Sequence, residues 1–162
     1  GAVSAGKFDY VPKIVRQFNL STYFKDIAIR PGKPVLFAKI KGKQKAIFGL
    51  PGNPMSSVAC FRFFVYPFLQ ESLGIKAEKP IEAILKNNFT KPKKFTRFVR
   101  SRINTTKNGK IEVEILKGQE SFRVKSFVKS NIWTVLPSGK SLFKKNEIVD
   151  CFFLNHPNKI FI

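Results

Sequence analysis

Pro51-Gly52-Asn53-Pro54 constrains this chain more than any other stretch, because two prolines flanking Gly and Asn forbid a continuous strand or helix there. The run before it, Ala46-Ile47-Phe48-Gly49, is short and apolar, as a buried strand would be. After it, Asn53 suits a helix N-cap and Pro54 the first helical position, where no amide hydrogen is needed. Val58, Phe61, Val65 and Phe68 follow in steps of three and four, which predicts a helix burying that face. Pro67 should kink or loosen it, and Gly74 should end it. A strand, a Gly-containing loop and a helix start offer free amides and the positive end of a helix dipole to an anion. A capped helix start with no ligand accounts for the same residues.

A second loop has the same character. Arg30-Pro31-Gly32-Lys33-Pro34 lies between the strand-like runs Asp26-Ile27-Ala28-Ile29 and Val35 to Ile40. Its prolines stiffen the backbone while Arg30 and Lys33 supply charge, a combination suited to a phosphate or oxyanion, or to a plain solvated turn.

The chain has 162 residues and a formal charge of +20, with 43% hydrophobic residues, a globular composition rather than a disordered one. Such a charge favours anionic partners: nucleic acid, acidic membrane or phosphorylated small molecules. Cys60 and Cys151 have no partner at metal-ligand or redox spacing, which fits buried apolar roles in a reducing cytoplasm. No stretch is long and apolar enough to suggest a membrane span, so a soluble chain is expected.

The small residues Gly1 to Gly6 suit a ligand-wrapping loop, and Val11, Ile14, Val15 and Phe18 predict a helix after it. Asp9 is either that helix's cap or a carboxylate for metal or substrate. No strand precedes the Gly-rich loop, so an upstream part of the natural protein is expected. Beyond Gly74, Ile75 to Lys79 reads as a linker. Strand-like runs follow at Ile81 to Phe89, Phe95 to Ile103, Lys110 to Leu116, Ile132 to Leu136 and Glu147 to Leu154, with a hairpin signal at Asn108-Gly109. Residues 118–131 are a strand with a turn or a short helical insert. These runs predict an α/β segment over 1–74 followed by a small β barrel or sandwich over 75–162. Arg97, Arg100 and Arg102 interleave with Phe95, Phe98 and Val99. That pattern serves nucleic-acid stacking, or an ordinary strand with Phe toward the core and Arg toward water.

Four pieces in this order, GAVSAGKFDY, IRPGKPVLFAKI, FGLPGNPMSSVACFRFFVYPFL and GQESFRVKSFVKSNIWTVLPSG, resemble the C-terminal half of the MoeA and gephyrin E-domain family, the molybdopterin molybdenumtransferases. The resemblance implies a partial molybdopterin-binding α/β domain of MogA-like type followed by a small all-β barrel. It further implies a transferase that inserts molybdate into adenylylated molybdopterin and releases AMP with Mg²⁺ assisting. Carried over by position, Ser4 and Asp9 match the first loop, with Asp9 near metal and pterin phosphate. Arg30, Lys33 and Pro34 match the basic turn, with Lys33 and Asp9 as the catalytic candidates. Pro51, Gly52, Asn53 and Pro54 match the turn beside the pterin. Arg100, with Ser121 or Ser126, matches barrel residues facing molybdate.

Ala2 in place of a second glycine and Lys7 in place of an acidic residue depart from the pattern. The resemblance implies a homodimer in the intact protein and an upstream molybdopterin-adenylating enzyme as partner, and calls for neither membrane nor nucleic acid. With the family's N-terminal half absent, this chain alone is expected to be inactive. The alternative reading is a basic module gripping single-stranded nucleic acid, which the charge and the Arg/Phe interleaving allow. A third is a β half that serves as a docking surface for protein partners.

Overall fold

The structure, a computed structural model, describes residues 10–154. Helix α1 (Val11–Val15) leads into strands β1 (Leu20–Lys25), β2 (Ile29–Arg30), β3 (Leu36–Ile40) and β4 (Ala46–Gly49). Only Val15 of α1 is buried, while Ile14 and Phe18 stay about half exposed. The predicted helix therefore shortens to the part with a packing partner. β1, β3 and β4 form an antiparallel sheet in the order β1-β3-β4.

The strand expected over 26–29 is displaced. Asp26 adopts φ 62°, the chain turns, and β2 leaves this sheet to run parallel to a strand of the second half.

Asn53 caps α2 (Pro54–Cys60): its Oδ1 accepts from the Met55 amide at 3.2 Å, and Pro54 occupies the first turn. A π-helical turn, Phe61–Val65, then passes into α3 (Tyr66–Ser72). The Tyr66 amide reaches back to the Phe61 carbonyl, five residues away. This widened turn is how the helix carries Pro67, whose ring would otherwise press on a carbonyl of the preceding turn.

Gly74, at φ 70°, ends the helix with paired bonds from Ile75 N to Gln70 O (2.8 Å) and Gly74 N to Glu71 O (3.0 Å). The buried face is not the predicted one. Met55, Ser56, Ala59, Cys60 and Arg62 are buried and Phe61 is 47% exposed, because the π turn rotates the register and two different layers pack on opposite sides of the helix.

The second half contains β5 (Ile81–Leu85), β6 (Phe89–Thr90), β7 (Thr96–Thr105), β8 (Ile111–Ile115), α4 (Lys125–Lys129), β9 (Ile132–Leu136), β10 (Leu142–Phe143) and β11 (Ile148–Phe153). The order β7-β8-β5-β11-β9 closes because β7 pairs with β9 along its first half and with β8 along its second, Ser101 facing both. The result is a five-stranded closed barrel filled by Leu85, Val99, Val113, Ile132, Leu136 and Cys151. Residues 118–131 carry the helical insert, α4, rather than a strand.

A second core joins the two halves. Ile29, Val35, Ala59 and Cys60 pack on Phe98 and Trp133 of the barrel's outer face, and the Phe63 and Phe98 rings stack at 4.0 Å. No helix among the described residues is long and apolar enough to cross a membrane.

Candidate functional site

The turn Arg30–Pro34 is seated by glycine. Gly32 holds φ 108°, and a Cβ built there would overlap Cys60 Sγ of α2. Cys60 Sγ lies 3.6 Å from the Gly32 carbonyl. Burial pushes the Cys60 thiol up to about 12, so at neutral pH it is a protonated packing group rather than a nucleophile. The basic turn and the capped helix start are thereby brought together through Gly32, Ser56 and Cys60.

Opposite this turn lies the barrel loop between β8 and α4. Together they enclose a groove of about 870 Å³ walled by Arg30 to Pro34, Ser56, Asn87 to Phe89, Arg97 and Ile115 to Phe122. Its charged wall residues are Arg30, Lys33, Arg97 and Lys117 against Glu120, which is itself paired with Arg123 at 3.3 Å. Such a groove favours an anion.

Of the residues singled out by sequence, Arg30, Lys33, Pro34 and Ser121 meet in this groove. Pro51, Gly52, Asn53 and Pro54 do not line it, although Ser56 of the helix they start does. Ser4 and Asp9 lie outside the described residues. Ser126 donates to the Gly118 carbonyl at 2.7 Å and faces a smaller cavity of about 290 Å³ with Lys117, Arg123, Lys125 and Lys129.

Arg100 overturns the expectation of a strand with its arginines toward water. It is 1% exposed, because the Leu116–Glu120 loop covers it, and its Nη2 donates to the carbonyls of Gly118 (2.9 Å) and Glu120 (3.3 Å). Arg100 Nε and Nη1 have no partner. Burial, followed by the nearby Arg97 charge, lowers the Arg100 pKa from its ordinary value.

Two residues were not among the site candidates read from sequence. Gln119 fastens the loop to β7, accepting from Arg100 N at 3.0 Å and donating to Arg100 O and Leu116 O at 2.7 Å each. Arg97 reaches the groove wall. A glutamine in a polar loop carries no local signal, and Arg97 shows in sequence only as part of the Arg/Phe interleaving; the fold fastens Gln119 to β7 and brings Arg97 to the groove.

Asp9, the expected magnesium ligand, lies outside the described residues. Among them no group of three or more His, Cys, Asp or Glu is placed to hold a metal.

The fold and the groove define a class: an α/β segment whose basic turn is walled by a loop of a small closed barrel. Comparison with known proteins gives the family. Residues 1–71 match the family described as "Probable molybdopterin binding domain", and residues 82–154 match "MoeA C-terminal region (domain IV)". The molybdopterin molybdenumtransferase of Synechococcus elongatus is 37% identical over 140 residues, 86% of this chain and 34% of that protein. That of Staphylococcus aureus is 35% identical over 153 residues, 93% and 36% respectively.

Among solved structures, a molybdopterin biosynthesis moeA protein from Pyrococcus horikosii superposes with a TM-score of 0.67 at 26% identity, covering 91% of this chain and 35% of that one. A molybdenum cofactor biosynthesis protein from Pyrococcus furiosus gives 0.66 at 22%, covering 87% and 51%. The chain belongs to the MoeA family, and it spans about a third of the length of the curated relatives it matches.

Proposed function

We propose that this chain supplies the basic turn, the capped helix start and the barrel loop of a molybdopterin molybdenumtransferase, and so acts in molybdenum cofactor biosynthesis. Residues 1–74 are its part of the molybdopterin-binding domain and residues 75–162 its barrel domain. The observation that carries this is the groove itself. Arg30 and Lys33 face the barrel loop across it, and behind that loop Arg100 keeps two nitrogens without partners.

Molybdate is a dianion and adenylylated molybdopterin carries phosphates. Fixed cations lower the cost of bringing them together and stabilise the charge that leaves with AMP. In this reading Lys33 and Arg30 hold the phosphate side, and Ser121, Ser126 and Arg100 are on the molybdate side. Pro51 to Pro54 shape the pterin edge, and Ser4 and Asp9 complete the pocket. A homodimer and an upstream adenylating enzyme belong to the same reading. Mg²⁺, with Asp9 as its candidate ligand, belongs to the same reading, and no step is routed through it.

The test joins this chain to the N-terminal region of the Staphylococcus aureus relative and follows AMP release from adenylylated molybdopterin with and without molybdate. Release that requires molybdate and falls by about a hundredfold or more in Lys33→Ala and Asp9→Asn is expected. No release, together with salt-sensitive binding of single-stranded DNA, would move the assignment to a nucleic-acid module.

A further inference from the structure

Arg30 and Arg97 are register partners where β2 runs parallel to β7, and both line the groove. Like charges at directly paired strand positions repel. The ion pairs among the described residues join Lys25, Arg62, Lys86, Arg123 and Lys140 to acids, and neither groove arginine is among them. Arg97 Nε is buried with no acceptor, and a buried donor left unpaired is destabilising.

A third cation lies near Arg97 without lining the groove. Lys91, 3% exposed, is held by the Phe95 carbonyl at 2.8 Å and bears electrostatically on Arg97. Arg30 lies over the Phe95 ring at 4.6 Å. The backbone keeps the arginines opposed. Thr96 N donates to Ala28 O at 3.0 Å, and Phe98, next along β7, is stacked on Phe63, so the strands cannot slip to relieve the repulsion.

We infer that Arg30 and Arg97 form a two-arginine clamp for one phosphoryl group of a phosphate or diphosphate ligand. The clamp rests on the reading of the groove given above, and it adds Arg97, a position outside the four pieces that carry the family resemblance. An anion between the two guanidinium forks gives Arg97 Nε an acceptor and screens Arg30 from Arg97. Arg97 is a binding residue in this scheme, and its effects on stability and on anion affinity are linked. The empty clamp is destabilised by repulsion, and the filled clamp is stabilised.

Pyrophosphate is the probe, titrated calorimetrically into the 162-residue chain and followed in parallel by thermal unfolding. Arg30→Gln and Arg97→Gln are each expected to weaken binding by about tenfold, and the double variant by clearly less than the product, since one shared contact set is lost once. Without pyrophosphate, Arg97→Gln should melt above the parent; with saturating pyrophosphate, below it. Arg97→Lys, which keeps the charge and loses the fork, should weaken binding by about threefold. Lys45→Gln, a charge removed from the β3–β4 turn, should bind as the parent does.

Parent-like affinity in both Arg97 variants overturns the clamp. If Lys33→Ala then still weakens binding, the groove assignment stands and only the role of Arg97 falls. If Lys33→Ala, Arg30→Gln and Arg97→Gln all bind as the parent, both fall together.

Discussion

Gly32 holds the basic turn in place through its missing side chain. With φ at 108° and no room for a Cβ beside Cys60 Sγ, an alanine there must both strain the backbone and push against α2. Gly32→Ala is expected to destabilise the chain by about 2 to 4 kcal/mol in urea unfolding. Adding Cys60→Ala should recover the overlap but not the backbone strain. A double variant no more stable than Gly32→Ala alone would mean that the contact with Cys60 does not set the turn. The glycine between two prolines is visible in the sequence as a turn signal. That it is required by a thiol 28 positions later is not, because that contact exists only once α2 crosses beneath the turn.

At the level of elements, the link between the two parts is tied down by Arg62. This arginine, 6% exposed on the π turn, donates through Nε to Phe153 O at 2.9 Å and through Nη2 to Glu78, and it lies within 6 Å of the Phe63, Tyr66 and Phe152 rings. One side chain therefore joins helix, linker and last barrel strand. Glu78→Gln leaves the arginine buried without its counter-charge and should cost about 2 to 3 kcal/mol, read from denaturant unfolding. A loss below about 0.5 kcal/mol would place the pair among ordinary surface ion pairs. The linker reads as polar and solvated in sequence, and most of it is exposed; Glu78 is the exception that a charged-residue pattern cannot separate from its neighbours.

The whole molecule carries +20, and several of its acids are already committed to local ion pairs. Self-repulsion should therefore be screened by salt. Raising NaCl from about 0.05 M to about 0.3 M is expected to lift Tm by about 3 °C or more. A Tm that is flat or falls with NaCl would show that the remaining cations are too far apart to matter. The two parts do not behave as separate bodies in their packing, since β2 extends the barrel's sheet and the core around Cys60, Phe98 and Trp133 spans both.

Local rules were enough for the features that depend on neighbours in sequence. Asn53 and Pro54 start α2, Gly74 ends α3, and the β4 and β9 runs fall where their apolar residues put them, because capping, φ freedom and short-range alternation involve only nearby atoms. The ordered loops were likewise legible as motifs. The tertiary fold alone placed β2 on the barrel, turned Arg97 into the groove, buried Arg100 under the Leu116–Glu120 loop and chose which helix face met the core. Each of those outcomes depends on segments far apart in the chain competing for the same volume and the same hydrogen bonds. That competition has no signature in the order of the residues, and it is settled only when the barrel closes against the helix.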